Sequence, residues 1–418
     1  MEQSQPRPLN ILMLSPTMFF ADYGAHVRIL EETLTLQKRG HRVTILAYPN
    51  GRDLPGVRVR RCWGVPFNYR VIVGSSRHKI YLDALLGIMS LWHGLRHRPD
   101  IIHAHLHEGA LIGRILSKLT GAPLVFDFQG SLTSEMIDHN FLSARSPFYK
   151  LLHRLETWLD HTANVVLTSS VHAANLLINN FNVPKERVIP TPDCVNADTF
   201  NPARFTPAEL DRLRSELKIP PGKKIIVYLG VITTYQGIDK LLEAVQRISR
   251  SRGDFHLLLM GYPGVVRYSA MTRDMGIDRL VTFTGKIPYE DAPRYLALGH
   301  AAAAPKLSAT EGSGKILNYM AMGLPTIAFK LPVSREFLGE YGLYAPDITS
   351  EALAQILNHA LDLSPADHAR LSRDLRQRVI QHYAWDRAGA EIETVYRAIL
   401  NDEIQPVPQT SSQHPPQH

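Results

Sequence analysis

At 418 residues, 44% hydrophobic and 20% charged, the chain is too long for one compact core and suits two domains of roughly 150–200 residues each. Its only cysteines, Cys62 and Cys194, exclude a disulfide framework and a four-cysteine zinc site. The net charge of +7 is concentrated in residues 51–100, where nine Lys/Arg face three Asp/Glu; such a patch can serve nucleic acid, anionic lipid or a phosphorylated substrate.

The opening MEQSQPRPLN lacks the basic-then-apolar pattern of a signal peptide, and no apolar run reaches the ~18–20 residues that span a bilayer. A cytoplasmic protein is expected. Short β-branched apolar runs then alternate with amphipathic stretches. Strands are expected at Asn10–Ser15, Arg42–Ala47, Asp100–His105, Leu124–Phe128 and Asn164–Thr168, with helices between them such as His26–Arg39. Arg58, Arg60 and Arg61 fall in a further strand and loop. Arg70, Arg77 and Lys79 precede YLDALLGIMSLWHGL, which is helical in period and flanked by Arg96 and Arg98, so a membrane-surface patch competes with a solvated face.

The pattern restarts at Lys224–Gly230 and continues through His256–Gly261, Val281–Gly285, Ala301–Pro305 and Pro325–Phe329. Continuously apolar strands separated by helices imply parallel sheets covered on both faces, here two in succession, with a break in the polar stretch Pro202–Lys223. Ligands of such sheets bind at the carboxyl ends of the strands, so the site belongs in the cleft between the units. The tail from Gln405 is polar and Pro-rich and is expected to be disordered.

Two loops could hold an anion. Gly24 stands at the first strand–helix junction, without the GxGxxG of a dinucleotide fold or the GxxxxGK[ST] of a phosphate loop. The second loop, in PKLSATEGSGKILNYMAMGLP, passes Gly312 and Gly314 into a helix from about Lys315 to Met322 that Gly323 stops. Amides at that helix start, with the charge of Lys315, suit a diphosphate; Glu311 and Asn318 could grip ribose or sugar hydroxyls, or simply cap the turn. His103, His105 and His107 alternate, so on one strand all three would share a face, as metal ligands do. No Asp-x-Asp anchor accompanies them, and burial in the core is the preferred reading.

In order and spacing, the Gly24 loop with LQKRGHRVTIL, then DIIHAHLHEGALIG, KERVIPTPDCVNADTFNP, YLGVITTYQGIDKLLEAV, VTFTGKIPYEDAPRYLALGHAAAAP, GKILNYMAMGLPTIAF and YAWDRAGAEIETVYRAIL resemble the retaining glycosyltransferases of family 4 over residues 9–400. The resemblance implies an α/β GT-B architecture of two Rossmann-like domains facing across a cleft. Residues 1–210 would form the acceptor-side domain, 211–385 the nucleotide-sugar domain, 386–402 a helix crossing back, and 403–418 the tail. It also implies transfer from a nucleotide-diphosphate sugar to an acceptor hydroxyl, without metal or other cofactor, the leaving phosphate taking the acceptor's proton. The acceptor would be a glycan, a lipid-linked molecule or a small molecule; from the charge of residues 51–100 an anionic membrane surface stays open as a partner beside a plain solvated face, and nucleic acid is not expected.

By the same resemblance, Gly314, Lys315 and Ile316 meet the diphosphate, Gly285, Lys286 and Ile287 the base, and Asn318 the ribose in place of the family's glutamate. Gly230 ends the first strand of the donor domain. After it, Val231 and Gln236 replace an Arg and a Lys that usually neutralise the diphosphate, leaving Lys315 or Lys306 to compensate. Ungapped register puts Thr310 at the glutamate that touches the donor sugar; a one-residue shift gives Glu311, the expected catalytic group. Gln129 stands where a histidine usually does and can bond a sugar hydroxyl without titrating. Gly24 and His107 fall on the acceptor side, as do the loops Phe19–Tyr23 and Ser131–Asn140. The four departures at Val231, Gln236, Asn318 and Gln129 keep a degenerate sugar-binding protein open, and a nucleotide-sugar epimerase is the other rival.

Overall fold

The computed structural model describes residues 7–22, 24–64, 79–138, 142–143, 145–308 and 312–401. Seven strands form the first sheet: β1 (Asn10–Ser15), β2 (Arg42–Ala47), β3 (Val59–Arg61), β4 (Ile101–His105), β5 (Leu124–Phe128), β6 (Val165–Thr168) and β7 (Val188–Pro190), in the order β3-β2-β1-β4-β5-β6-β7. Six form the second: β8 (Lys224–Leu229), β9 (Phe255–Met260), β10 (Val281–Gly285), β11 (Ala301–Ala304), β12 (Thr326–Phe329) and β13 (Leu343–Ala345), in the order β10-β9-β8-β11-β12-β13. Every pairing is parallel. This is the doubly wound α/β architecture expected, twice over.

The ten strands expected from apolar runs are all present, with ends within one residue. β7 and β13 were not anticipated. Each is three residues long and only partly buried, too short to show a pattern. The stretch Pro202–Lys223, where the break between the units was expected, contains the helix Pro207–Glu216. Thr206 and Glu209 close a reciprocal capping box around Pro207, and Leu213 anchors the helix in the second unit's core.

Alternation along the strands gives each sheet two apolar faces. In the first, Ile11, Met13, Ile45 and Val125 face the helix Gly24–Lys38, while Leu12, Leu14, Phe126 and Phe128 face the helices Lys79–His97 and Leu106–Thr120. The last helix, Trp385–Leu400, returns to the first unit. Its Ile392, Val395, Tyr396 and Ile399 complete the core beneath the helix Gly24–Lys38. Tyr396 Oη also meets His103 Nδ1 at 2.6 Å.

Replacing Tyr396 by Ala is therefore expected to destabilise the first unit by about 3–5 kcal/mol. Tyr396→Phe removes only the contact to His103 and should cost about 1 kcal/mol. Urea denaturation of the two variants checks both values.

Candidate active site

The strand order of each sheet reverses between the first strand and the fourth of its unit, and these switch points face each other. Residues just past β1, β4, β5 and β6 (Thr17, His107, Gln129, Ser169) and just past β8, β9, β10 and β11 (Gly230, Gly261, Lys286, Lys306) line one cleft of about 390 Å³. One rim is tied by Asp22, which accepts from the Tyr289 amide at 3.0 Å and pairs with Lys286 at 3.0 Å and Arg52 at 2.6 Å. Burial pushes the Asp22 carboxyl up, but these donors outweigh it and hold it below the usual range. On another side of the contact, Glu336 of the second unit accepts from the amides of Val171 and His172 at 2.8 and 3.1 Å. It thereby satisfies free donors at the start of the helix Val171–Asn180.

The glycine turn expected to hold an anion faces this cleft. The helix Gly314–Ala321 begins one residue earlier than expected, and Gly312, Ser313, Gly314, Lys315 and Asn318 all line the cavity. A Cβ on Gly312 would stand 2.7 Å from Asp193 Oδ2 and 3.3 Å from Ser169 Oγ, so only glycine lets the turn approach the first unit this closely. The buried Ser313 Oγ has no hydrogen-bond partner among the described residues.

Lys315 Nζ donates to Gln236 Oε1 at 2.7 Å and Tyr228 Oη at 3.0 Å, and sits over the Tyr228 ring. Its charge thus stands beside Gln236, one of the two positions where the sequence lacks an expected cation. Gly230, at φ +144°, would bring a Cβ within 2.8 Å of that ammonium. Lys306 is turned toward the loop itself and donates to the Gly312 carbonyl at 2.7 Å.

Several expected positions differ. Ile316 is fully buried in the second core, does not line the cleft, and its amide donates to Ser313 O at 2.9 Å, so the turn presents Gly312–Lys315 and not Ile316. Gly285 lies outside the lining, its carbonyl accepting from Gly261 N, while Lys286 and Ile287 do line it. Glu311 and Thr310 lie outside the described residues. Phe19 and Phe20, expected in an acceptor loop, are buried in the first core, and Leu132–Asp138 of the other loop is helical. Gly24 and Gln129 line the cleft, and Gln129 Nε2 donates to Asp127 Oδ2 at 2.8 Å.

The three histidines do not share a face. β4 ends at His105, Leu106 turns the chain at φ +60°, and His107 enters the next helix on the opposite side of the sheet, against Phe126 and Phe128. His103 and His105 stack in the core beside Glu32 and Asp127, a group whose ligand atoms lie within 4.8 Å of one another. Its positive charge is already supplied by Arg28, which pairs with Asp127 at 2.8 Å, Glu32 at 3.1 Å and Asp193 at 3.2 Å. Burial drives Asp127 up, yet Arg28 and His105 outweigh it and the carboxyl is held well below its ordinary value. Asp193 and Glu32 remain raised by burial. This network was missed from sequence; the one signal was a charged residue inside an apolar strand, Asp127 in LVFDF.

His107 lines the cleft and lies 3.3 Å from Asp160 and 3.8 Å from Glu156. Burial lowers its pKa, but the two carboxylates outweigh that and raise it to about 8, while burial keeps Asp160 raised as well. An imidazole raised in the fold from an ordinary 6.5 adds stability that is complete below pH 6.5 and lost as pH climbs through about 8. The expected difference is about 2 kcal/mol. Denaturation at pH 6.5 and pH 9 should show this loss in the wild type and not in His107→Gln.

Residues 23–193 match a glycosyl transferase 4-like domain and residues 223–362 match the glycosyl transferases group 1 domain. D-inositol 3-phosphate glycosyltransferase of Corynebacterium glutamicum is 23% identical over 411 residues, covering 91% of this chain and 93% of that protein. Glycogen synthase of Mycobacterium tuberculosis is 24% identical over 438 residues, covering 96% and 97%. Among solved structures, sucrose-phosphate synthase of Thermosynechococcus elongatus superposes with a TM-score of 0.78 at 18% identity, covering 94% of this chain and 99% of that one. HepE of Anabaena in complex with UDP-glucose superposes at 0.75 and 16% identity, covering 93% and 100%.

Proposed function

The chain belongs to the glycosyl transferases of group 1, family 4 enzymes of GT-B architecture, and from that footing we propose that it moves a sugar from a nucleotide-diphosphate sugar to an acceptor hydroxyl, with retention and without a metal ion. The observation that carries the donor site is the Gly312–Gly314 turn, which lines the interdomain cleft at the start of a helix with the Lys315 ammonium beside Gly230 and Gln236.

In this reading the diphosphate lies against the turn. The C1–O bond to phosphate breaks while the acceptor oxygen bonds C1 on the same face, and the acceptor's proton passes to the departing phosphate oxygen. Lys315 and the helix start stabilise the charge that develops on the leaving group. A lysine ammonium supplies there the charge that a metal ion would otherwise bring, which supports metal independence. Lys286 and Ile287 suit the base, Asn318 the ribose, and Gln129, held by Asp127, a hydroxyl of the acceptor or the donor sugar. The Asp22 ties across the rim support a closed cleft that excludes water.

The acceptor belongs at the end lined by Tyr48, Lys79, His107 and Glu108, and is a glycan, a lipid-linked molecule or a small molecule. We further place the protein in the cytoplasm, peripheral on an anionic membrane surface, with no nucleic-acid partner. Among the described residues no helix is long and apolar enough to cross a membrane, and the basic residues 51–100 include the apolar helix Lys79–His97.

Lys315→Ala should weaken binding of UDP-glucose or another accepted nucleotide sugar roughly ten- to hundredfold, read by titration calorimetry, with little change in melting temperature. Unchanged affinity would remove Lys315 from the donor site. Donor turnover by the wild type should persist in excess EDTA; its loss on chelation and return with a divalent ion would overturn metal independence.

A further inference from the structure

Eleven of the eighteen exposed large hydrophobic residues among the described residues fall on three neighbouring helices of the first unit, Lys79–His97, Leu106–Thr120 and Pro147–Asp160. The helix Lys79–His97 turns Leu82, Leu86 and Met89 into the core, yet its outer side carries Ile88, Trp92 and Leu95, with Trp92 61% exposed. On the middle helix Leu111, Ile115 and Leu119 repeat the pattern. The third helix shows Phe148, Leu151, Leu155 and Trp158 at spacings that share one face, and Phe148 and Leu151 are about two-thirds exposed. A helix that is apolar on its outer side as well as its inner one is built to be covered.

The charges on these helices say by what. Arg96, Lys118, Lys150 and Arg154 are exposed between the apolar side chains. The carboxylates of the same helices are all engaged or buried elsewhere: Asp83 accepts from Tyr48, Glu108 is paired with Lys79 at 2.6 Å, and Glu156 and Asp160 are fully buried. The outer face is therefore apolar and cationic, with no exposed carboxylate among the described residues of these helices. A two-fold dimer through it would lay this one patch against itself, setting like charges in opposition. An anionic bilayer answers both features: headgroups meet the cations and the acyl boundary takes the aromatic and aliphatic side chains.

We propose that the outer faces of these three helices dock the protein flat on an anionic lipid bilayer, so that the acceptor end of the cleft opens at headgroup level. The last part follows from continuity, because the apolar face begins at Ile80, next in sequence to Lys79 of the cleft wall. The inference rests on the peripheral placement proposed for the protein and is independent of the transfer chemistry. It also moves the surface beyond residues 51–100, since two of its helices lie outside that stretch.

The test uses the full chain with vesicles of phosphatidylcholine alone or mixed with phosphatidylglycerol. The wild type should co-sediment with the anionic vesicles and stay in the supernatant with neutral ones, and its tryptophan emission should shift to the blue on anionic vesicles. Trp92→Glu/Trp158→Glu should lower partitioning at least tenfold while leaving nucleotide-sugar affinity and melting temperature unchanged. Lys150→Glu/Arg154→Glu should lower it too, and extra salt should not restore it. Equal recovery of the wild type in the supernatant with both vesicles would overturn the proposal, as would a dimer in sedimentation velocity that Trp158→Glu abolishes, which would assign the face to a second copy. Loss of nucleotide-sugar binding by the wild type would instead count against the transferase reading and leave the docking intact.

Discussion

The guanidinium of Arg28 is the constraint around which the first unit and the cleft are arranged. It is 3% exposed and pairs with Asp127, Glu32 and Asp193, three carboxylates that come from β5, from its own helix and from the segment after β7. Asp127 could not remain ionised in the core alone, and the cation could not be buried without such a partner. The arrangement therefore has one geometry that works, and it fixes three separate pieces of chain at the carboxyl edge of the first sheet. Asp193 then stands against the Gly312 turn of the other unit. A partly buried carboxyl of the first unit is in this way placed next to the glycine turn of the second, and Asp127 continues the network to Gln129 in the cleft wall.

The ties that close the cleft are of another kind. Asp22, Arg52, Lys286 and Tyr289 form a polar cluster at the rim, where the Asp22 carboxyl is covered but its partners Arg52 and Lys286 reach solvent, which keeps each pair's contribution modest. Glu336 caps a helix of the opposite domain through two backbone amides. Contacts of this strength can be broken and remade on each turnover, as passage of a substrate requires, whereas the Arg28 network cannot. Rigidity and compliance are thus divided between the core beneath the site and the rim above it.

Most of the architecture was legible because buried parallel strands leave continuous apolar runs, and the ten longest were readable to within a residue. The glycine turn that lines the cleft was legible for a local reason: two glycines, a lysine and an amphipathic helix lie in one short segment. Arg28, Asp127 and Asp193 were not, since their meeting depends on pairing across positions 99 and 165 residues apart, and each looks like an ordinary charged residue in its own neighbourhood. His107 misled for the same reason. Its spacing from His105 suits a strand, but the strand stops there and a left-handed Leu106 sends the imidazole to the other side. The exposed apolar faces were half readable: composition marked the first helix, while the two that share its surface are brought beside it only by the fold.

The closing helix has a consequence for how the molecule comes into being. Because Ile392, Val395, Tyr396 and Ile399 are part of the hydrophobic interior of the first sheet, that interior lacks one wall until the second sheet has been translated. The amino-terminal half therefore completes its packing only after the second sheet has been made, in contrast to the usual progression of one domain after another. One wall of its apolar core is supplied by a segment translated after the entire second sheet.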